Sequence, residues 1–228
     1  MSTLVIGDVH GCAEELSQLV SLVAPKRLVL VGDAYTKGPD PVGVHRQIVD
    51  TGADVVRGNH DQRLLDAKAG RRPGDQHAHE VVEALERADP HAIGAIAGWP
   101  LWIEVGRYLV THAALHPSGD PARTSEQTHL SLRRWPSDAL HDPFWWEVYR
   151  GPPVIFGHDA RRGFVRRDRG GEPWVIGLDT GCVYGGSLTG WVVEEARRVS
   201  VPALKAWCRV SGGGEGAPTG SPSGRSPT

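Results

Sequence analysis

Leu4-Val5-Ile6-Gly7-Asp8-Val9-His10-Gly11 is the stretch on which the reading of the fold turns. A short apolar run ends at a glycine, and a carboxylate and an imidazole follow two residues apart. The run is apolar without alternation, so it reads as a strand buried on both faces. The polar pair then stands at the strand's carboxyl end, where open α/β sheets place their ligands. The same grammar recurs down the chain. Leu28-Val29-Leu30-Val31 leads into Gly32-Asp33, and Ala53-Asp54-Val55-Val56 leads to Gly58-Asn59-His60-Asp61. Leu109-Val110-Thr111 precedes His112, and Val154-Ile155-Phe156-Gly157 precedes His158.

Asp8, His10, Asp33, Asn59, His112 and His158 thus form one set of oxygen and nitrogen donors at strand ends. The set suits divalent cations, and one carboxylate can bridge two of them about 3.5–4 Å apart. Two such cations would bind phosphoryl oxygens and acidify a water for attack on phosphorus. The expected cofactor is a pair of divalent ions, manganese first, with iron, zinc, cobalt or nickel as alternatives.

Helical spacing of Leu16, Leu19, Val20 and Val23 predicts a helix over residues 13–23. A second is expected over 41–49, with Asp40 as its N-cap and Pro41 in its first position. Further helices are expected over 62–69, 78–87 and 91–96. Residues 101–105 and 108–111 read as a hairpin, 125–135 and 137–149 as mostly helical, and 153–156, 174–178, 188–194 and 198–201 as strands. This order predicts an α/β fold, a two-sheet β-sandwich flanked by helices, with the metal site at the carboxyl ends of strands. The catalytic domain is expected over residues 1–210. Residues 211–228 are rich in Gly, Ser and Pro and read as a flexible tail.

Taken in order, Gly7-Asp8-Val9-His10-Gly11, Gly32-Asp33, Gly58-Asn59-His60-Asp61, Thr111-His112 and Gly157-His158 resemble the calcineurin-like metallophosphoesterases of the phosphoprotein-phosphatase superfamily. Cys12 and the stretch from Leu178-Asp179-Thr180-Gly181-Cys182 to Thr189 are similar to bacterial diadenosine tetraphosphatases. Phe156-Gly157-His158-Asp159-Ala160-Arg161-Arg162-Gly163 resembles the ApaH-like phosphatases, a branch that includes polyphosphatases and cap-cleaving enzymes. The resemblance implies that Asp8, His10 and Asp33 hold one metal, and that Asp33, Asn59, His112 and His158 hold the other. It also implies in-line attack by water, with His60 and Asp61 as catalytic residues. His60 is the candidate general acid, because histidine titrates near working pH, and Asp61 or Asp159 would orient it.

Lys37 departs from the superfamily pattern of an arginine preceded by an aspartate, since the pair here is Thr36-Lys37. A lysine is a point charge without the guanidinium fork. That departure fits the ApaH-like branch and weakens a protein-phosphatase reading. Lys37, Arg133, Arg134, Arg161 and Arg162 are the candidate substrate-binding cations, although an arginine run also reads as a solvated face. Several cations beyond the metals suit a chain of phosphates. The expected activity is hydrolysis of phosphoanhydrides in dinucleoside polyphosphates such as diadenosine tetraphosphate. The alternatives are a serine/threonine (or tyrosine) protein phosphatase, a polyphosphatase and a capped-RNA hydrolase.

The 228 residues carry a net charge of −2, which gives no general pull toward nucleic acid or membrane. Three cysteines, Cys12, Cys182 and Cys208, fit a reducing compartment better than a disulfide scaffold, and a cytoplasmic protein is expected. Cys12 and Cys182 read as small buried packing residues. The expected partner is a phosphorylated small molecule or phosphoprotein, with no membrane and no nucleic acid beyond a capped RNA end.

Overall fold

A computed structural model describes residues 2–209, so the expected 211–228 tail lies outside the described residues. The first half alternates: β1 (Thr3–Ile6), α1 (Ala13–Val23), β2 (Arg27–Leu30), α2 (Pro41–Thr51), β3 (Asp54–Val55) and α3 (Asn59–Lys68), then α4 (Gln76–Ala88) and α5 (Ala92–Ala97). The second half is strand-rich: β4 (Trp102–Val105), β5 (Tyr108–Thr111), the short helices α6 (Glu126–Ser131) and α7 (Trp145–Val148), then β6 (Val154–Phe156), β7 (Val165–Arg169), β8 (Glu172–Gly177), β9 (Ser187–Val192) and β10 (Arg197–Pro202).

The strands form two mixed five-stranded sheets, ordered β10-β9-β1-β2-β3 and β4-β5-β6-β8-β7. β1, β2 and β3 run parallel, as do β5, β6 and β8. The alternation of a strand's two faces explains the sandwich. Val5, Val29 and Val31 point to one side and meet Val110, Ile155 and Ile176 of the other sheet. Leu4, Ile6, Leu28 and Leu30 point to the opposite side and pack under Leu16 and Leu19 of α1 and Val44 of α2. Both faces of β1 and β2 are therefore buried, which is why these strands are apolar runs without alternation. Trp145 and Tyr149 cover the outer face of the second sheet against Val154, Phe156 and Trp174.

Three expectations need correction. The helices expected over 125–135 and 137–149 shrink to α6 and α7. Pro136 and Pro143 interrupt the stretch, and a proline disfavours helix at its own position and the one before. Asp138 instead takes the backbone N–H groups of Arg133 and Arg134 at 2.7 and 2.5 Å, and Arg134 pairs with Phe144 as an isolated bridge. The helix expected from residue 62 begins at Asn59, so three candidate site residues, Asn59, His60 and Asp61, occupy its first turn. Residues 165–169, where no strand is expected, form an edge strand, β7, which carries Arg166, Arg167 and Arg169 and turns back into β8 through Gly170 and Gly171, both at positive φ. A Gly-Gly pair adopts the positive φ that a tight hairpin turn demands.

Candidate metal centre

Loops after β1, β2, β5 and β6, together with the first turn of α3, bring the six expected donors to one place. His10 Nε2 lies 3.9 Å from Asp8 Oδ2 and 3.6 Å from Asp33 Oδ2. Asp33 Oδ1 lies 3.5 Å from His112 Nε2. Asn59 Oδ1 lies 3.0 Å from His112 Nε2 and 2.9 Å from His158 Nδ1. Donor atoms of Asp8, Asp33 and His112 all fall within 4.8 Å of one another. The two oxygens of Asp33 thus face different histidines, so this carboxylate could serve both halves of the donor set.

The backbone works to achieve this. His10, Asp33, Lys37 and His158 all adopt positive φ, between 49° and 72°. Such conformations cost of order 1 kcal/mol each in a non-glycine residue, and they collect where function demands them. Hydrogen bonds hold them: His10 N donates to Asp33 O at 2.8 Å, and His158 N to Asp8 Oδ1 at 2.9 Å. Gly58 and Gly157 are glycines because a Cβ at either would strike the Asp33 or Asp8 carboxylate. Each ligand-candidate imidazole is also fixed from behind. His10 Nδ1 meets Thr36 Oγ1 at 3.2 Å, His112 Nδ1 meets Val31 O at 3.0 Å, and His158 Nε2 meets Ser131 O at 2.9 Å.

Electrostatics show what the site requires. Burial, followed by the charges of Asp179 and Asp33, raises the Asp8 carboxyl well above its ordinary range. Burial likewise raises Asp33, Asp61 and Asp179 to about 6 each. Burial also lowers His10 and His158 well below normal and His112 to about 4, so these rings are neutral, the form that ligates metal. A group of buried carboxyls among neutral imidazoles needs cations. The donor set fits two divalent ions.

Other expected residues sort differently. Lys37 enters the cavity, its Nζ 3.0 Å from His10 Nε2 and 5.3 Å from the Tyr184 ring centroid. Arg133 and Arg161 line the same cavity, of about 670 Å³, and Arg133 Nε stands 3.8 Å from Asp159. Arg134 and Arg162 do not line it. Both guanidiniums sit on the Phe144 ring, at 4.1 and 4.5 Å, and Arg134 also bonds Asp142 O. Cys12 and Cys182 are buried, as expected for packing residues.

Asp61 is not beside the His60 ring nitrogens as an orienting carboxylate. Its carboxylate, fully buried, accepts the N–H groups of Asp33 at 2.7 Å, Ala34 at 3.1 Å and Gly58 at 2.9 Å. It ties the β2 loop to the N-terminus of α3. His60 lines the cavity edge-on to His10, ring centroids 5.1 Å apart, while its backbone N donates to Asp33 Oδ1 at 2.8 Å. Its Nδ1 is buried and has no hydrogen-bond partner among the described residues, which leaves Nε2 toward the cavity. Burial, then Lys37 and Arg63, pushes its pKa down to about 2.

The cavity also holds residues that the sequence alone does not single out: Asp179, Arg63, His77 and Arg209. Asp179 sits inside a motif quoted for the resemblance, so a signal existed. His77 lies far along the chain and reaches the site by accepting Lys37 N–H at 3.0 Å. No local pattern marks it.

Residues 1–178 match the calcineurin-like phosphoesterase family. The chain is a member of that family. Among relatives of this phosphoesterase, the symmetrical bis(5'-nucleosyl)-tetraphosphatase of Ralstonia nicotianae is 29% identical, across 90% of this chain and 92% of that protein. The asymmetrical bis(5'-nucleosyl)-tetraphosphatase PrpE of Halalkalibacterium halodurans is 27% identical, across 87% and 93%. A crystal structure provisionally described as a diadenosine tetraphosphatase is 32% identical and superposes with a TM-score of 0.75, covering 89% of this phosphoesterase and 94% of that chain. A protein serine/threonine phosphatase from Saccharomyces cerevisiae shares the fold, with a TM-score of 0.59 at 13% identity. The phosphoesterase is a metal-dependent hydrolase of phosphoester or phosphoanhydride bonds. No helix among its described residues is long and apolar enough to cross a membrane.

Proposed function

We propose that this phosphoesterase hydrolyses dinucleoside polyphosphates, cutting a phosphoanhydride bond at a pair of divalent ions held by Asp8, His10, Asp33, Asn59, His112 and His158. The observation that carries the reading is the set of cations near the donors: Lys37, Arg63, Arg133 and Arg161 line a single cavity with His10, Asp33, Asn59 and His158. Its volume, about 670 Å³, lies within the range of small-molecule sites. A phosphomonoester would use one of these cations, whereas a tetraphosphate chain has oxygens for several. The tetraphosphatase relatives support the same substrate. Manganese as the resident metal, cytosol as the compartment and residues 1–210 as the catalytic unit complete the proposal.

When bound, the ions supply Lewis acidity, neutralising phosphoryl charge and lowering the pKa of water. The protein supplies position. Thr36, Val31 and Ser131 aim the three imidazoles, and Asp61 and the His60 N–H aim Asp33. Lys37 places a point charge beside the His10 side of the site, and Arg133 with Arg161 holds phosphates on the His158 side. His60 offers Nε2 to the leaving oxygen. Thr36 stands where the superfamily carries an aspartate and bonds His10 instead, so His60 Nδ1 has no carboxylate behind it. An imidazolium there would leave a buried N–H unsatisfied, so His60 seldom carries the extra proton and supplies it poorly. A phosphoanhydride tolerates this, because its leaving phosphate needs no proton.

The test is a panel with added manganese: diadenosine tetraphosphate, inorganic polyphosphate, capped RNA, a phosphoserine peptide and p-nitrophenyl phosphate. The tetraphosphate should give the highest kcat/KM. A phosphopeptide or polyphosphate ranking first would replace this reading. Within the panel, His60→Asn should slow an alkyl phosphate by about 10²-fold and p-nitrophenyl phosphate by roughly tenfold less. Equal losses would mean that the His60 ring serves structure, edge-on to His10, and not the leaving oxygen.

A further inference from the structure

Residues 203–209, which follow β10, stay on the domain. Ala203 N donates to Gly186 O at 2.9 Å, and Leu204 N to Glu15 Oε1 at 3.0 Å. Ala206 bridges Tyr184, while Trp207 N and Cys208 N both donate to Val183 O, at 2.9 and 3.2 Å. Residues 203–209 thus form a strap across the 181–186 loop, with Gly185 at φ 90° drawn close to Ala206. The anchor is unusual. Glu15 is a carboxylate only 1% exposed in the first turn of α1, and it spends an oxygen on the strap's backbone. The course of the strap brings Cys208 and Arg209 into the wall of the metal cavity, on the side where Tyr184 lies under Lys37.

Arg209 differs from the cavity's other guanidiniums. Arg63 is committed to Asp75, one prong at 2.6 Å, and Arg133 faces Asp159. Arg209 is exposed and makes no ion pair or hydrogen bond among the described residues. An exposed guanidinium held at the mouth of an anion site, with its donors unspent, has the geometry for a two-pronged grip on phosphate.

We propose that Arg209 is a specificity-determining substrate residue, which binds a phosphate distal to the scissile one on the Lys37 side, and that Glu15 is a positioning residue that places it through the strap. This rests on the reading of the substrate as a phosphate chain and extends it. Arg133 and Arg161 receive charge on one side of the metal pair, and Lys37 with Arg209 on the other. An interior phosphorus, with phosphates on both sides, then satisfies more donors than a terminal one. A monophosphate reaches the metals without touching Arg209.

The test uses the full-length, manganese-loaded enzyme and reads inhibition of p-nitrophenyl phosphate hydrolysis by inorganic tripolyphosphate and by orthophosphate. Arg209→Ala should raise the Ki of tripolyphosphate about tenfold or more and that of orthophosphate less than twofold. Arg209→Lys should recover only part of the loss, since lysine has no fork. Glu15→Ala, which releases the strap, should shift the same ratio in the same direction. Ki values that move together for the two anions, or that do not move, overturn the proposal. So does a wild type that tripolyphosphate fails to inhibit better than orthophosphate. None of these readings requires diadenosine tetraphosphate to be the substrate, so failure of that assignment is seen separately in the substrate panel.

Discussion

Asp33→Asn is expected to strip the metal centre and reduce turnover by at least about 10³-fold, yet to make the metal-free protein more stable at pH 8. The first half follows from position: the Asp33 oxygens face His10 and His112, at 3.6 and 3.5 Å. A carboxamide offers a single neutral oxygen and cannot bridge. The second half follows from charge. Burial raises Asp33 to about 6, against 3.8 in an unfolded chain. The native state then holds the proton more tightly than the unfolded state. The stability this contributes is full below pH 3.8 and is lost as pH rises through about 6. At pH 8 the metal-free fold carries the whole penalty, on the order of 2 to 3 kcal/mol for this group. Asparagine removes it and can still accept the His60 N–H now bonded to Asp33 Oδ1. Calorimetry in chelator should show the variant melting above wild type at pH 8, with the gap closing toward about pH 4. With manganese present the order should reverse, because only the wild type gains from the ions. A variant that keeps metal content and turnover, or that melts below wild type in chelator at pH 8, would contradict the charge argument.

The first sheet and its donors are legible in the sequence because their local signals agree. Leu4-Val5-Ile6 is buried on both faces in the fold, and an unbroken apolar run is the pattern that such double burial demands. Asp8, His10, Asp33, His112 and His158 follow such runs directly, so their convergence is a property of strand ends. Asn59 is different: its strand is only Asp54–Val55, and the helix after it begins at Asn59 itself. Substrate-side residues are harder to read. Arg133 and Arg134 are neighbours with the same chemistry, yet one faces the cavity and the other lies on Phe144. The irregular backbone around Pro136 and Pro143 decides between them, and no periodicity reports it. His77 and Arg209 depend on where distant segments dock, on Lys37 N and on Glu15, which is tertiary information. The role of Asp61 is obscured for a related reason. Its neighbour His60 suggests a side-chain partnership, whereas its position three residues after Gly58 is that of a carboxylate that caps a helix.

Asp61→Ala is therefore expected to act on stability first and on catalysis only through the loop it holds. Removing the carboxylate leaves three backbone N–H groups, those of Asp33, Ala34 and Gly58, without their acceptor in a fully buried place. Each orphaned donor costs about 1–3 kcal/mol before relaxation. Against this stands the relief of a carboxyl that burial and the charge of Asp33 hold at about 6, so that its ionised form is costly at neutral pH. The two effects oppose each other, and the three lost bonds outweigh one ionisation. A net loss of about 2–4 kcal/mol follows, visible as a fall in Tm of very roughly 5–15 °C in a domain of this size. Asp61→Asn should fall between, because its amide oxygen can still accept but its NH2 faces a donor. Turnover should drop because Asp33 and its loop lose their fixed direction. The drop should be the same factor for p-nitrophenyl phosphate, an alkyl phosphate and diadenosine tetraphosphate, since a displaced metal ligand affects every substrate alike. A loss that grows as the leaving group worsens would instead mean that Asp61 serves the proton on His60, and the capping role would fall.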